Sequence, residues 1–199
     1  MLTENEKCDS TMNPPSEWLS QLYAWLKDYR RLVVLGIGNP LRGDDAIGIK
    51  VIQNLQGRVP ENVLLLECEM TPENYFSKIE EFKPTHVLMI DAAQINMEAG
   101  SSRLIPVEEI AGTALSTHTL PLSFLAEIIK QTLRAKVMLL GIQPETIELK
   151  EGLSPTLRKA SNKIADLIAL VLKENKTIKD SVSKGSENKR RSINLCCKE

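Results

Sequence analysis

Histidine is almost absent from this chain: two occur in 199 residues, His86 and His118. Any imidazole chemistry therefore rests on one of them. No apolar run reaches the roughly 18 residues that a bilayer-spanning helix needs, so membrane insertion is not expected. The opening MLTENEKCDST lacks the charged-then-apolar build of an export signal. Cysteine is sparse as well. Of Cys8, Cys68, Cys196 and Cys197, three fall in expected tails and two are adjacent, which fits neither a disulfide framework nor a zinc ribbon. A reducing cytoplasm is the setting these features predict. There is no internal repeat, and no G-x-x-x-x-G-K followed by Ser or Thr.

What is present is ordinary soluble-domain material, 42% hydrophobic and 26% charged, enough for one domain with a substantial core. The net charge of −1 conceals an asymmetry, because residues 173–199 carry eight Lys or Arg against four Asp or Glu. That stretch has almost no apolar periodicity, so a solvated end is expected there and no nucleic-acid partner. The chain divides into a loose segment over 1–14, a single α/β domain over 15–175, and a disordered basic tail over 176–199. Within the domain, 15–29 is an additional N-terminal helix.

Continuous apolar runs at 32–35, 62–66, 85–90 and 136–142 read as strands buried on both faces. Short strand or edge character is expected at 103–106. Helical spacing marks 46–55, 72–82, 120–133 and 154–172, with Ser154 a cap and Pro155 in the first helical position. Both tryptophans, Trp18 and Trp25, lie in the N-terminal helix and are expected to anchor it on the sheet. Alternation of strands and helices predicts a mostly parallel sheet of about five strands with helices on both sides. In such folds the functional groups gather at the C-terminal ends of strands.

The richest stretch is LVVLGIGNPLRGDDAIG, residues 32–48, which holds four of the ten glycines. A dinucleotide fingerprint would need a third glycine at Leu41, and Asp44 and Asp45 would repel a pyrophosphate at the helix start. Nucleotide binding is therefore a minor alternative. Asp44 alone suits a helix dipole or cap. Asp45 has company, since topology sends it and Asp91, after the third apolar run, to one sheet edge. His118, in LSTHTLPLSF, sits on a polar step before a helix, whereas His86 starts a strand and reads as structural. Two carboxylates and one imidazole suit a divalent first-row metal with positions left open. Cys68, in the Glu67-Cys68-Glu69-Met70 stretch expected to turn after the second strand, is a candidate soft ligand or an ordinary packed thiol. Its neighbouring carboxylates are candidate groove residues.

G-x-G-N-x-L-x-x-D-D-x-x-G after a first strand, Asp-Ala after a later one, and Ser/Thr-His before a Leu-Pro helix resemble the NiFe-hydrogenase maturation endopeptidases. STHTLPLSFLAEII, LLGIQPETIEL and LSPTLRKA resemble the hydrogenase 3 type in particular, and the similarity spans 31–172. The resemblance implies a three-layer α/β/α sandwich of the phosphorylase/hydrolase-like kind. It implies an endopeptidase that removes a C-terminal extension from the hydrogenase large-subunit precursor after nickel insertion. It places metal ligands at Asp45, Asp91 and His118, with Asp45 and Asp91 catalytic and Asp44 a possible assistant. The nickel is supplied by the precursor, other divalent metals being able to replace it in vitro, and no organic cofactor is expected. No Ser or Cys sits beside a His with a third orienting group, in keeping with that family. A non-cleaving metal-binding or partner-binding chaperone is the alternative of a different class.

Overall fold

The computed structural model describes residues 17–110, 114–115 and 121–195. The strands are β1 (Leu32–Ile37), β2 (Val63–Glu69), β3 (His86–Gln94), β4 (Ser102–Pro106), β5 (Ala114–Leu115) and β6 (Lys136–Ile142). The helices are α1 (Glu17–Trp25), α2 (Ile47–Leu55), α3 (Phe76–Phe82), α4 (Val107–Ile110), α5 (Leu122–Leu133) and α6 (Pro155–Leu195).

Five strands form the main sheet in the order β2-β1-β3-β6-β4. β1, β2, β3 and β6 are parallel, and β4 runs antiparallel beside β6. The predicted α/β architecture is the one observed. β5 lies off this path and pairs antiparallel with the end of β3.

Period-two alternation explains why the central strands look uniformly apolar. Leu32, Val34, Leu88, Ile90 and Leu140 face a core with α1, α2 and α6. Val33, Leu35, Val87, Met89 and Leu139 face another, with α3 and α5. Each strand residue thus loses its water on one side or the other, at about 1.5–3 kcal/mol per large aliphatic side chain. Leu22 and Leu26 of the N-terminal segment are fully buried, with Trp18 and Trp25 packed against the same core. His86 is also buried, at the N-terminal end of β3. Its ring meets Trp25 edge to face with centroids 4.8 Å apart, its Nδ1 is 3.0 Å from Thr85 Oγ1, and its Nε2 is 3.4 Å from Asp28.

Three boundaries differ from the sequence reading. β2 continues through Glu67, Cys68 and Glu69 rather than turning at them. A bulge absorbs the extra residue, because Gly36 pairs with Glu67 and Ile37 with Glu69. β3 runs three residues past Asp91, since β6 and then β5 supply partners there. α6 extends to Leu195, not Leu172. No proline follows Pro155 and the extension carries five Lys and two Arg, so propensity permits continuation where no apolar stripe demands it.

Candidate functional site

The C-terminal edge of the sheet is assembled around close backbone contacts. Gly38, at φ +139°, leads out of β1, and a Cβ there would overlap the Asp45 carbonyl oxygen. Gly48, in the first turn of α2, lies against the carbonyl oxygens of Ile37 and Ile90, with no room for a side chain. The glycines of the turn therefore let α2 descend onto β1 and β3 until backbones touch. They are packing residues and form no phosphate cradle. The tight turn Gly43–Ala46 that precedes α2 is consequently held against β3, the strand that carries Asp91.

Three carboxylates are buried at this edge: Asp44, Asp45 and Asp91, none more than 1% exposed. Burial of a carboxylate demands partners, and the three differ in what they have. Asp44 Oδ2 accepts the amides of Glu145 (3.0 Å) and Thr146 (3.2 Å), and Oδ1 accepts that of Ser154 (2.7 Å). It therefore clamps the β1–α2 turn to the loop that runs from β6 to α6. Ser154 in turn caps α6, its Oγ accepting the Leu157 amide at 3.2 Å. With both oxygens engaged by backbone donors, Asp44 is not the free assisting carboxylate that the sequence left open, and α2 has no side-chain cap.

Asp45 is different. Its Oδ2 accepts the Asn39 amide at 2.9 Å, while its buried Oδ1 has no hydrogen-bond partner among the described residues. An unsatisfied buried carboxylate oxygen costs about 1–3 kcal/mol or more, so such an atom calls for a functional explanation. A divalent cation would satisfy it, and the donor chemistry fits. Asn39 orients the turn further, its Oδ1 accepting the Leu41 amide at 2.9 Å. Asp91 lies within β3, opposite Gly141 of β6, and its Oδ1 accepts the Ala92 amide at 2.9 Å.

His118 lies outside the described residues. Leu115, three positions earlier, pairs with Ala93, and the antiparallel register advances from Gln94 towards Asp91 as the chain passes from Ala114 to Leu115. Among the described residues no group of three His, Cys, Asp or Glu could hold a metal.

Cys68 is the packed thiol of the two alternatives. It is 1% exposed within the α3/α5 core, and its Sγ reaches the Leu66 carbonyl at 3.6 Å. Burial, together with the negative charge of Glu73, pushes its pKa up to about 12.

Gln143 is a site-shaping residue that the sequence reading passed over. Its Oε1 accepts the amides of Ile95 (2.9 Å) and Met97 (3.4 Å), and its Nε2 donates to Gln94 Oε1 (2.8 Å). It thereby fixes the β3–β4 loop to the end of β6. A polar residue directly after the apolar run KVMLLGI was the available signal. A cavity of about 780 Å³ lies elsewhere, between α1, β4 and α6, and contains none of these carboxylates.

A family model for hydrogenase maturation proteases matches residues 49–171. The hydrogenase 3 maturation protease of Escherichia coli K12 is 31% identical over 116 residues, 58% of this chain and 74% of that protein. The crystal structure of the NiFe-hydrogenase maturation protease HycI from Thermococcus kodakarensis KOD1 superposes with a TM-score of 0.72 at 37% identity, covering 77% of this chain and 99% of that one. The hydrogenase maturating endopeptidase HybD from E. coli gives a TM-score of 0.62 at 25% identity, over 73% and 93% of the two chains.

Proposed function

This chain belongs to the hydrogenase maturation protease family, and on that premise we propose that it removes the C-terminal extension of a NiFe-hydrogenase large-subunit precursor once nickel is in place. Asp45, Asp91 and His118 read the nickel, which arrives as part of the substrate. The observation that carries this reading is the buried Asp45 Oδ1, which has no hydrogen-bond partner among the described residues and lies beside the strand bearing Asp91.

The reaction is hydrolysis of one peptide bond, with water adding across C–N to leave a carboxylate and an amine. Holding the nickel at Asp45 and Asp91 would fix the tail that follows it, turning recognition into proximity of the scissile bond. When bound, the metal also supplies a Lewis acid. Asp44 contributes by holding the two loops together. Among the described residues, no helix is long and apolar enough to cross a membrane. The cytoplasm, where precursor and thiols stay reduced, is the compartment we assign.

The test mixes purified enzyme with nickel-loaded and nickel-free precursor. Wild type is expected to cut the first alone. Asp45→Asn and Asp91→Asn should cut neither while keeping the wild-type melting temperature within a few degrees. Wild-type cleavage by Asp91→Asn would remove the site assignment.

A further inference from the structure

Six large hydrophobic side chains are exposed among the described residues, and their distribution is uneven. Leu41, Met70, Met97 and Leu149 each belong to a different loop, following β1, β2, β3 and β6 respectively. Those are the four parallel strands, so all four loops leave the same edge of the sheet. Phe124 stands in the first turn of α5, which starts at that edge before crossing back to feed β6. Only Leu170, on α6, is apart. Met97 lines the separate cavity between α1, β4 and α6, which leaves four at this edge; isolated apolar residues on a surface need no explanation, but such a group does.

Leu41 (57% exposed) and Leu149 (84%) are also rigidly presented. Their loops are bonded to each other: Lys150 N donates to Leu41 O at 3.1 Å, Gly43 N to Lys150 O at 2.6 Å, and Asp44 N to Thr146 O at 3.2 Å. The Arg42 side chain adds a bond to the Ile147 carbonyl at 3.1 Å. Met70 follows Glu69, whose carbonyl accepts the Gly38 amide at 3.0 Å, so it flanks the same turn from the β2 side. Glu69 itself holds a left-handed φ of +48°, a strained conformation for a residue with a side chain. Loops this firmly fixed do not collapse to hide their leucines. Such preorganisation favours binding, because little ordering entropy is lost when a partner arrives.

We propose that Leu41, Leu149 and Met70 form an apolar docking rim for the folded body of the precursor, next to the point where its tail enters the Asp45 turn. This surface rests on the protease reading above and adds to it a partner surface: an apolar patch on a folded protein, beside the segment to be cut. Its continuity with the turn that carries Asp45 decides for this occupant over a second copy of the chain.

The experiment measures kcat and KM on nickel-loaded precursor, with binding by calorimetry. Leu41→Ser/Leu149→Ser should raise KM and Kd about 10- to 100-fold with kcat within twofold, as expected for two leucines left out of an interface. Leu149→Gln alters only one highly exposed side chain and should retain the fold, raising KM about fivefold by itself. Leu170→Ser should change nothing. KM values within twofold of wild type for the first two variants overturn the rim and leave the protease reading standing. Wild-type enzyme that neither binds nor cuts the precursor overturns both.

Discussion

Replacing Asp44 by Asn separates architecture from chemistry at this site. The carboxylate accepts three backbone amides from a fully buried position. An amide offers one acceptor oxygen and one donor, so in either orientation an NH2 group faces at least one backbone N–H. Turned one way, the Ser154 bond is lost; turned the other, those to Glu145 and Thr146 are lost. A hydrogen bond to a charged group is worth about 1.5–3 kcal/mol, so one or two losses amount to roughly 2–5 kcal/mol. For a chain of this size that corresponds to a fall in melting temperature of about 5–15 °C. The assay is thermal unfolding by circular dichroism, paired with precursor cleavage well below the lowered midpoint. The expected variant is markedly less stable, and its folded fraction cleaves with near-native kcat. A variant as stable as wild type but unable to cleave would refute the structural role and restore Asp44 as a reacting group.

Gly48→Ala should be among the most damaging single-methyl changes, because the new Cβ meets the backbone carbonyls of Ile37 and Ile90 and no movable side chain. A loss of about 3 kcal/mol in urea unfolding is expected, with reduced cleavage as the Asp45 turn lifts from β3; a loss under 1 kcal/mol would contradict the packing account. Cys68 predicts a pH dependence. Its thiol pKa is raised in the folded state, so its contribution is complete below the unfolded value of 9.0 and fades as pH climbs towards about 12. Between pH 8 and 10.5 wild type should lose about 2 kcal/mol that Cys68→Ala does not, and equal losses would show that the group lies elsewhere.

Much of this architecture was readable from residue order because it rests on short-range pattern. Apolar runs such as LVVL and VMLLGI mark strands covered on both faces, and Ser154-Pro155 marks the start of α6 as found. Boundaries that depend on a neighbour were not readable. β3 passes Asp91 because β6 and β5 supply partners, and β2 retains Cys68 through a bulge. The same distinction holds at the site. That Asp45 and Asp91 share one edge followed from topology alone, since any parallel sheet collects such residues there. The division of labour between Asp44 and Asp45 did not, because it depends on amides about a hundred positions away.

That separation has a consequence for the order in which the molecule becomes competent. Asp44 is 110 residues from Ser154, and its other partners lie 101 and 102 residues away. Closing so distant a loop is slow relative to forming local helices and turns. The mouth around Asp45 therefore matures late, after β6 has joined the sheet and the start of α6 has been laid down. During synthesis the first half of the chain can carry its glycine turn and both candidate aspartates of the cleft, yet hold no fixed geometry for them. Competence to cut arrives with the last third of the fold, so a truncated chain ending before Ser154 is expected to be inert, although Asp45, Asp91 and His118 are all present.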